Sequence, residues 1–182
     1  GLGDVYKRQG QLPLFNGATC LKLNQIEKYL NDFKPNFKSD NLGGLYKIKY
    51  KNHFLLIDVD KPPQKKFSKS YQSGPLSFEY FLDGVKIITN SGFGFHISKK
   101  AELLSRLTAC QSTLTVNDTS ITKFEKNEVV SKIFGNSIQD SFKSFDFFEK
   151  NENGIIGCSV SNNGYERKFG CTHKREIYLD KE

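Results

Sequence analysis

The chain has no tryptophan and no methionine, and its 182 residues include only 5 prolines and 4 cysteines. Those cysteines, Cys20, Cys110, Cys158 and Cys171, fall at no zinc-type spacing, so the sequence holds no metal knuckle. Arginine is equally scarce, with Arg8, Arg106, Arg167 and Arg175 alone. A protein that reads nucleic-acid grooves needs more guanidinium forks for phosphates and guanine edges. No apolar run approaches the roughly 18–20 residues of a membrane-spanning helix. The N-terminus also lacks the charged–apolar–small pattern of a signal peptide. Nucleotide loops are missing too, since Gly92-Phe93-Gly94 and Gly43-Gly44 lack the rest of a phosphate fingerprint and serve better as turns or bulges. There is no serine elbow and no His-Glu-x-x-His. The three histidines, His53, His96 and His173, lie far apart, and a lone histidine is most often structural.

What is present is aromatic and dispersed in charge. Phenylalanine numbers 16 and tyrosine 8, with 37% hydrophobic and 26% charged residues, a balance that excludes a disordered tail. Rings and branched chains favour strands. The net charge of +7 comes from 27 basic residues spread beside 20 acidic ones. Its densest cluster, Lys61 to Lys69, contains Pro62 and Pro63 and reads as a solvated loop. Such a surface steers any polyanion, which favours an acidic polymer over nucleic acid as partner.

Residues 1–9 fit nothing that follows and read as a non-native leader. Residues 10–40 read as a linker with one short amphipathic helix. Its apolar positions Leu23, Ile26, Tyr29, Leu30 and Phe33 recur at three and four until Pro35 ends the pattern. From residue 41 to 182 the period is two. Leu45–Tyr50 and Phe54–Val59 are strand candidates, and Leu76–Phe81 and Val85–Thr89 flank Asp83-Gly84, a hairpin turn. Ser112–Val116 runs into a second turn at Asn117-Asp118, and further strands are expected over Val129–Phe134, Ile155–Val160, Lys168–Thr172 and Lys174–Leu179. The fold class is therefore all-β, an antiparallel β-sandwich with one short N-terminal helix. Leu76, Phe78, Ile87, Leu114 and Val116 are its expected inward residues, with Glu79 facing the other way. Cys158 and Cys171 flank Asn162-Asn163-Gly164, where either a cross-hairpin disulfide or two free thiols fit. The chain reads as cut at both ends.

Five stretches carry more information. They are Ser73–Glu79, Thr89–Gly92, Ser105–Asp118, Asn162–Tyr165 and His173–Arg175. In this order and spacing they resemble the C-terminal β-sandwich domain of the heparinase II/III-like family. Leu14-Phe15-Asn16-Gly17 is similar to the segment that opens the domain in its bacterial branch. The resemblance implies a polysaccharide lyase whose N-terminal α/α toroid, absent from this chain, holds the catalytic tyrosine while the sandwich closes one side of the cleft. It implies β-elimination on a uronic-acid polymer, which needs the carboxylate neutralised, the C5 proton removed and the O4 leaving group protonated. A periplasmic or cell-envelope location follows from the resemblance alone.

The sequence departs from the family where relatives place His, Asp or Asn, and His, a trio that in some of them holds zinc. Here those positions align with Gln72, Asn90 and Gln111, and another family histidine aligns with Asn162. Carboxamides are poor zinc ligands, so neither a metal nor another cofactor is expected. They can instead donate hydrogen bonds to a sugar or satisfy strand-end backbone groups. The expected substrate-binding residues are Gln72, Asn90, Arg106, Gln111, His173 and Arg175, with no catalytic residue in this chain. Alone it should cleave nothing. The rival reading is a non-catalytic carbohydrate-binding or scaffolding sandwich.

Overall fold

The computed structural model describes residues 14–17, 28, 31, 32, 41, 42 and 44–181. Residues 1–9 and nearly all of the helix expected over 21–33 lie outside that set, although Lys28, Asn31 and Asp32 are helical. Among the described residues eight strands form two antiparallel sheets. The larger runs β1 (Asn41–Leu42), β2 (Leu45–Tyr50), β3 (His53–Asp58), β4 (Phe78–Leu82) and β5 (Val85–Ile88), in that order. The smaller runs β6 (Ser144–Glu152), β7 (Ile155–Asn162) and β8 (His173–Asp180). Between them the chain adds α1 (Lys99–Leu104) and α2 (Glu128–Phe134), with a single helical turn, α3 (Glu166–Phe169), in the β7–β8 connection.

Period-two alternation puts Tyr46 and Ile48 of β2 on the face that Leu55 and Ile57 of β3 share. The register pairs Tyr46 with Ile57 and Ile48 with Leu55. That face packs with Leu76 against Cys158 and Val160 of β7, which closes the sandwich. Strand β3 is buried on both faces, which explains why it reads as an unbroken apolar run. Its second face, Phe54 and Leu56, joins Phe81 and is covered by Phe15. The short segment 14–17 is held there by sandwich side chains. Leu14 N donates to Glu79 Oε1 at 3.3 Å, Asn16 Nδ2 to Asp58 Oδ2 at 3.3 Å and Gly17 N to Gln72 Oε1 at 3.0 Å.

The hairpin at Asp83-Gly84 is formed, with φ of 51° and 80° and Leu82 opposite Val85. Asn117-Asp118 also turns, at φ 50° in both residues, but only a bridge between Val116 and Thr119 flanks it. The strand expected over Ser112–Val116 does not form: the backbone groups of Ser112 are taken by side chains, its N donating to Asn90 Oδ1 and its O accepting from Arg175 Nη1. Val129–Phe134 belongs to α2 rather than a strand. Asn127 caps the helix by accepting from Val129 N and Val130 N, and Gly135 at φ 68° stops it. Lys168–Thr172 is likewise no strand, since α3 ends within it at the left-handed Gly170.

Of the expected inward residues, Leu76 is fully buried and Phe78 and Val116 pack at core edges, the latter beside Tyr71, Ile121 and Tyr165. Ile87 and Leu114 are not inward, with 54% and 44% of their surfaces exposed. Ile87 lies on β5, at the end of the larger sheet's strand order, and Leu114 lies on the irregular segment. Glu79 does face away from the sandwich interior, yet it is fully buried because segment 14–17 covers that face. Cys158 and Cys171 are both free thiols. Cys158 sits in the core and Cys171 is exposed outside β8.

Candidate functional site

Five of the six expected residues fall in two regions, and Arg106 lies in neither. Beneath the surface, Gln72 Nε2 donates to Gly92 O at 2.9 Å and to Ser105 O at 3.1 Å, while Gln111 Nε2 donates to the same Ser105 oxygen at 2.7 Å. Asn90 joins them through the next residue along: Ser112 N donates to Asn90 Oδ1 at 2.9 Å. The carboxamides, separated by many residues in sequence, thus meet around one loop. Gln72 and Asn90 are each only 2% exposed. Their partners are mostly backbone groups of the loops 90–92 and 105–112, so the cluster ties those loops together.

Arg106 belongs to the interior and not to this cluster. Its guanidinium is fully buried, donates from Nε to Tyr71 O at 2.8 Å and from Nη2 to Ser68 O at 2.9 Å, and lies 4.1 Å over the Phe124 ring. Burial lowers its pKa to about 10, with Glu102 opposing the shift. Tyr71, the tyrosine closest in sequence to Gln72, is buried as well. Desolvation and then Asp58 raise its phenol well above the ordinary value, which makes it a poor proton-transfer group near neutral pH.

An open depression lies where the two sheets part at the start of β8, lined by Phe78, Gln111, Ser112, Thr113, His173 and Arg175. His173 and Arg175, two apart on one strand, share the inward face of β8 with Ile177. Arg175 Nη1 donates to Ser112 O at 3.0 Å, and its guanidinium lies 5.0 Å over the Phe78 ring. This stacking and the hydrogen bond hold the cation at the rim. Burial first, and Arg175 second, push the His173 imidazole down to about 4, so it is neutral near pH 7. Next to it, Asn162 is paired with His173 across β7 and β8. Asn162 Nδ2, Asn90 Nδ2 and His173 Nδ1 are buried polar atoms with no hydrogen-bond partner among the described residues.

Zinc does not fit this arrangement. Gln72 and Gln111 use their amide nitrogens on backbone carbonyls, and Asn90 presents its oxygen to Ser112. Among the described residues no three His, Cys, Asp or Glu side chains gather closely enough to hold a metal ion.

The sequence matches the family model of the heparinase II/III-like C-terminal domain over residues 34–182. The chain belongs to this family. Its heparinase-like sandwich superposes on solved structures despite low identity. The heparan sulfate lyase HepC from Pedobacter heparinus is 16% identical, with a TM-score of 0.66 over 96% of this chain. A heparinase III gene product is 14% identical with a TM-score of 0.67 over 96% of the chain, and a second heparinase III structure is 12% identical at 0.61 over 93%. The chain spans 28% of the length of each of these structures. Among curated proteins none matches its sequence. No helix among the described residues is long and apolar enough to cross a membrane.

Some residues of this heparinase-like sandwich escaped the sequence. Ser112, which links Phe78, Asn90 and Arg175, was hidden in an alternating stretch that reads as an ordinary strand. Asn162 was visible as a departure from the family's histidine but gave no sign that it would lie opposite His173.

Proposed function

We propose that this chain is the sandwich part of a polysaccharide lyase acting by β-elimination on a uronic-acid-containing glycan, and that the depression at the start of β8 is its contribution to the cleft. The observation that carries this reading is the placement of Arg175. It is held at the rim by Ser112 O and the Phe78 ring, beside the neutral His173, where it can neutralise a sugar carboxylate. Neutralisation acidifies the adjacent C5–H, and a positively charged protein of net +7 gathers the polyanion. The proton-transfer pair comes from a preceding helical toroid in this reading, and the protein works in the periplasm or cell envelope. Gln111 and Asn90 support the site from behind. Gln72 and Arg106 act on it only through the loops that they hold.

The burial of the carboxamides favours a second reading, a binding or scaffolding sandwich without chemistry. The two are separated by expressing the complete reading frame and incubating it with heparin-like, alginate-like and pectin-like polymers while following the ultraviolet absorbance of the unsaturated uronate. A lyase gives that chromophore from the whole protein and not from residues 1–182 alone. Arg175→Ala in the whole protein should lower kcat/KM with the fold preserved. A whole protein that binds a polymer and never yields the chromophore would establish the scaffolding reading.

A further inference from the structure

The depression carries little uncompensated charge. The charged residues lining it are Lys174, Arg175 and Glu176, besides the titratable His173. Lys174 Nζ lies 2.6 Å from Glu176 Oε1, so these two cancel. The Ser159 hydroxyl also turns to that carboxylate, at 3.4 Å. His173 is uncharged near pH 7, being pushed down to about 4 by burial and by Arg175 itself. Among the described residues Arg175 is left as the single net cation of the lining. The other polar groups around it are neutral: Ser112 and Thr113 on the wall, Asn90 bonded to Ser112, and Asn162 opposite His173.

A sulfated glycosaminoglycan presents several anionic groups per disaccharide, each of which needs a counter-charge or water when it meets a protein wall. One guanidinium flanked by neutral donors matches one planar carboxylate, which the fork can hold through two parallel hydrogen bonds. A second anion at the same rim would meet only the Lys174–Glu176 pair, whose charges already cancel. We infer that the depression reads a single sugar carboxylate, and that the glycan is an unsulfated polyuronate rather than a sulfated glycosaminoglycan. This rests on the docking reading given above.

The test separates the two. Chain 1–182 and its Arg175→Ala variant are titrated with polygalacturonate, polyguluronate and heparin at low and high salt. Dispersed surface lysines give heparin a background affinity that salt abolishes. The inference expects Arg175→Ala to weaken polyuronate binding about tenfold or more while changing heparin binding less than about twofold. Arg175→Lys, which keeps the charge without the fork, should recover part of the polyuronate affinity, and it serves in place of the alanine variant if that variant does not fold. Should Arg175→Ala weaken heparin as much as or more than the polyuronates, the inference is overturned and the docking reading stands. If neither polymer responds to any Arg175 variant, the docking reading fails, and the inference with it.

Discussion

Gln72 and Gln111 share one acceptor: both side-chain amides donate to the carbonyl of Ser105, at 3.1 and 2.7 Å. A carbonyl oxygen has two lone pairs, and this one is saturated by the two side chains. The pairing draws the loop at 72, the helix end at 105 and the irregular segment at 111 into one knot. It also explains why these residues can look like a ligand site in sequence and behave as a fastening in the fold.

Removing that fastening should cost stability. Gln72→Ala deletes donors to Gly92 O and Ser105 O and the acceptor of Gly17 N, in a position only 2% exposed. Urea denaturation should show a loss of about 2–4 kcal/mol, since the stranded backbone groups remain buried. A loss within experimental error would mean that water replaces the amide.

Arg106 makes an even stricter demand. Arg106→Lys keeps the charge but cannot reach both Tyr71 O and Ser68 O through a planar fork or stack in the same way over Phe124. The lysine variant should unfold at a lower denaturant concentration, by about 1–3 kcal/mol, and Arg106→Ala at a lower one still. Equal stability of wild type and the lysine variant would contradict the assigned role of the fork.

Acid should favour the folded state through two buried carboxyls beneath segment 14–17. Burial raises Asp58 from 3.8 to about 7, against the hydrogen bonds from Asp60 N and Asn16 and with a further push from the Asp60 charge. Glu79 is raised in the same direction, again mainly by burial, with Lys86 opposing. A carboxyl whose folded pKa lies above its unfolded value contributes stability that is complete below the unfolded pKa and lost as pH rises through the folded one. Stability should therefore fall between about pH 4 and pH 7 on account of Asp58. Asp58→Asn, which imitates the protonated acid, should flatten that slope and exceed the wild type in stability at pH 8. A wild-type curve that rises across this window would refute it.

Thiol chemistry should distinguish the core of β7 from the β7–β8 connection. Cys171 is exposed, whereas Cys158 is buried and its thiol is raised to about 12, by desolvation first and then by Glu149. Alkylation of the native protein followed by peptide mass mapping should find Cys171 modified well before Cys158, which reacts on unfolding. Comparable native rates would mean that β7 opens far more readily than a core strand should.

Gly157 offers a packing test. A methyl group there would overlap the Ile177 carbonyl oxygen and lie 2.6 Å from Tyr178 Cδ1, because the tyrosine ring rests against the glycine across the strand pair. Gly157→Ala should lower stability by about 1–3 kcal/mol, and Gly157→Ala with Tyr178→Ala by less than the sum of the two single changes.

Much of the strand pattern was legible: β2 and β8 follow the period of two, β3 reads as an unbroken apolar run, and Asp83-Gly84 marks its hairpin. Strand β6 was not, because its register shifts between Phe145 and Phe148 and Asp146 takes a φ of 52°, which breaks the alternation. The residues of α2 are branched and aromatic and read as a strand, but Asn127 and Gly135 fix the helix at its ends. At the site, the family's order of stretches pointed to the right loops. Which residues turn inward depended on tertiary detail that no spacing records: Arg106 stacks on Phe124, and Arg175 stacks on Phe78.

Phe15 gives the unit its practical limits. The family match starts at residue 34 and the regular strands at 41, yet Phe15 helps bury Phe54, Leu56 and Phe81. A gene fragment trimmed to either of those positions would strip the outer face of β3 and β4 and leave a greasy, aggregation-prone sheet. It would also strand Glu79 without its Leu14 partner. Anyone dissecting this protein into pieces should therefore place the cut upstream of Leu14, some twenty residues before the family match begins.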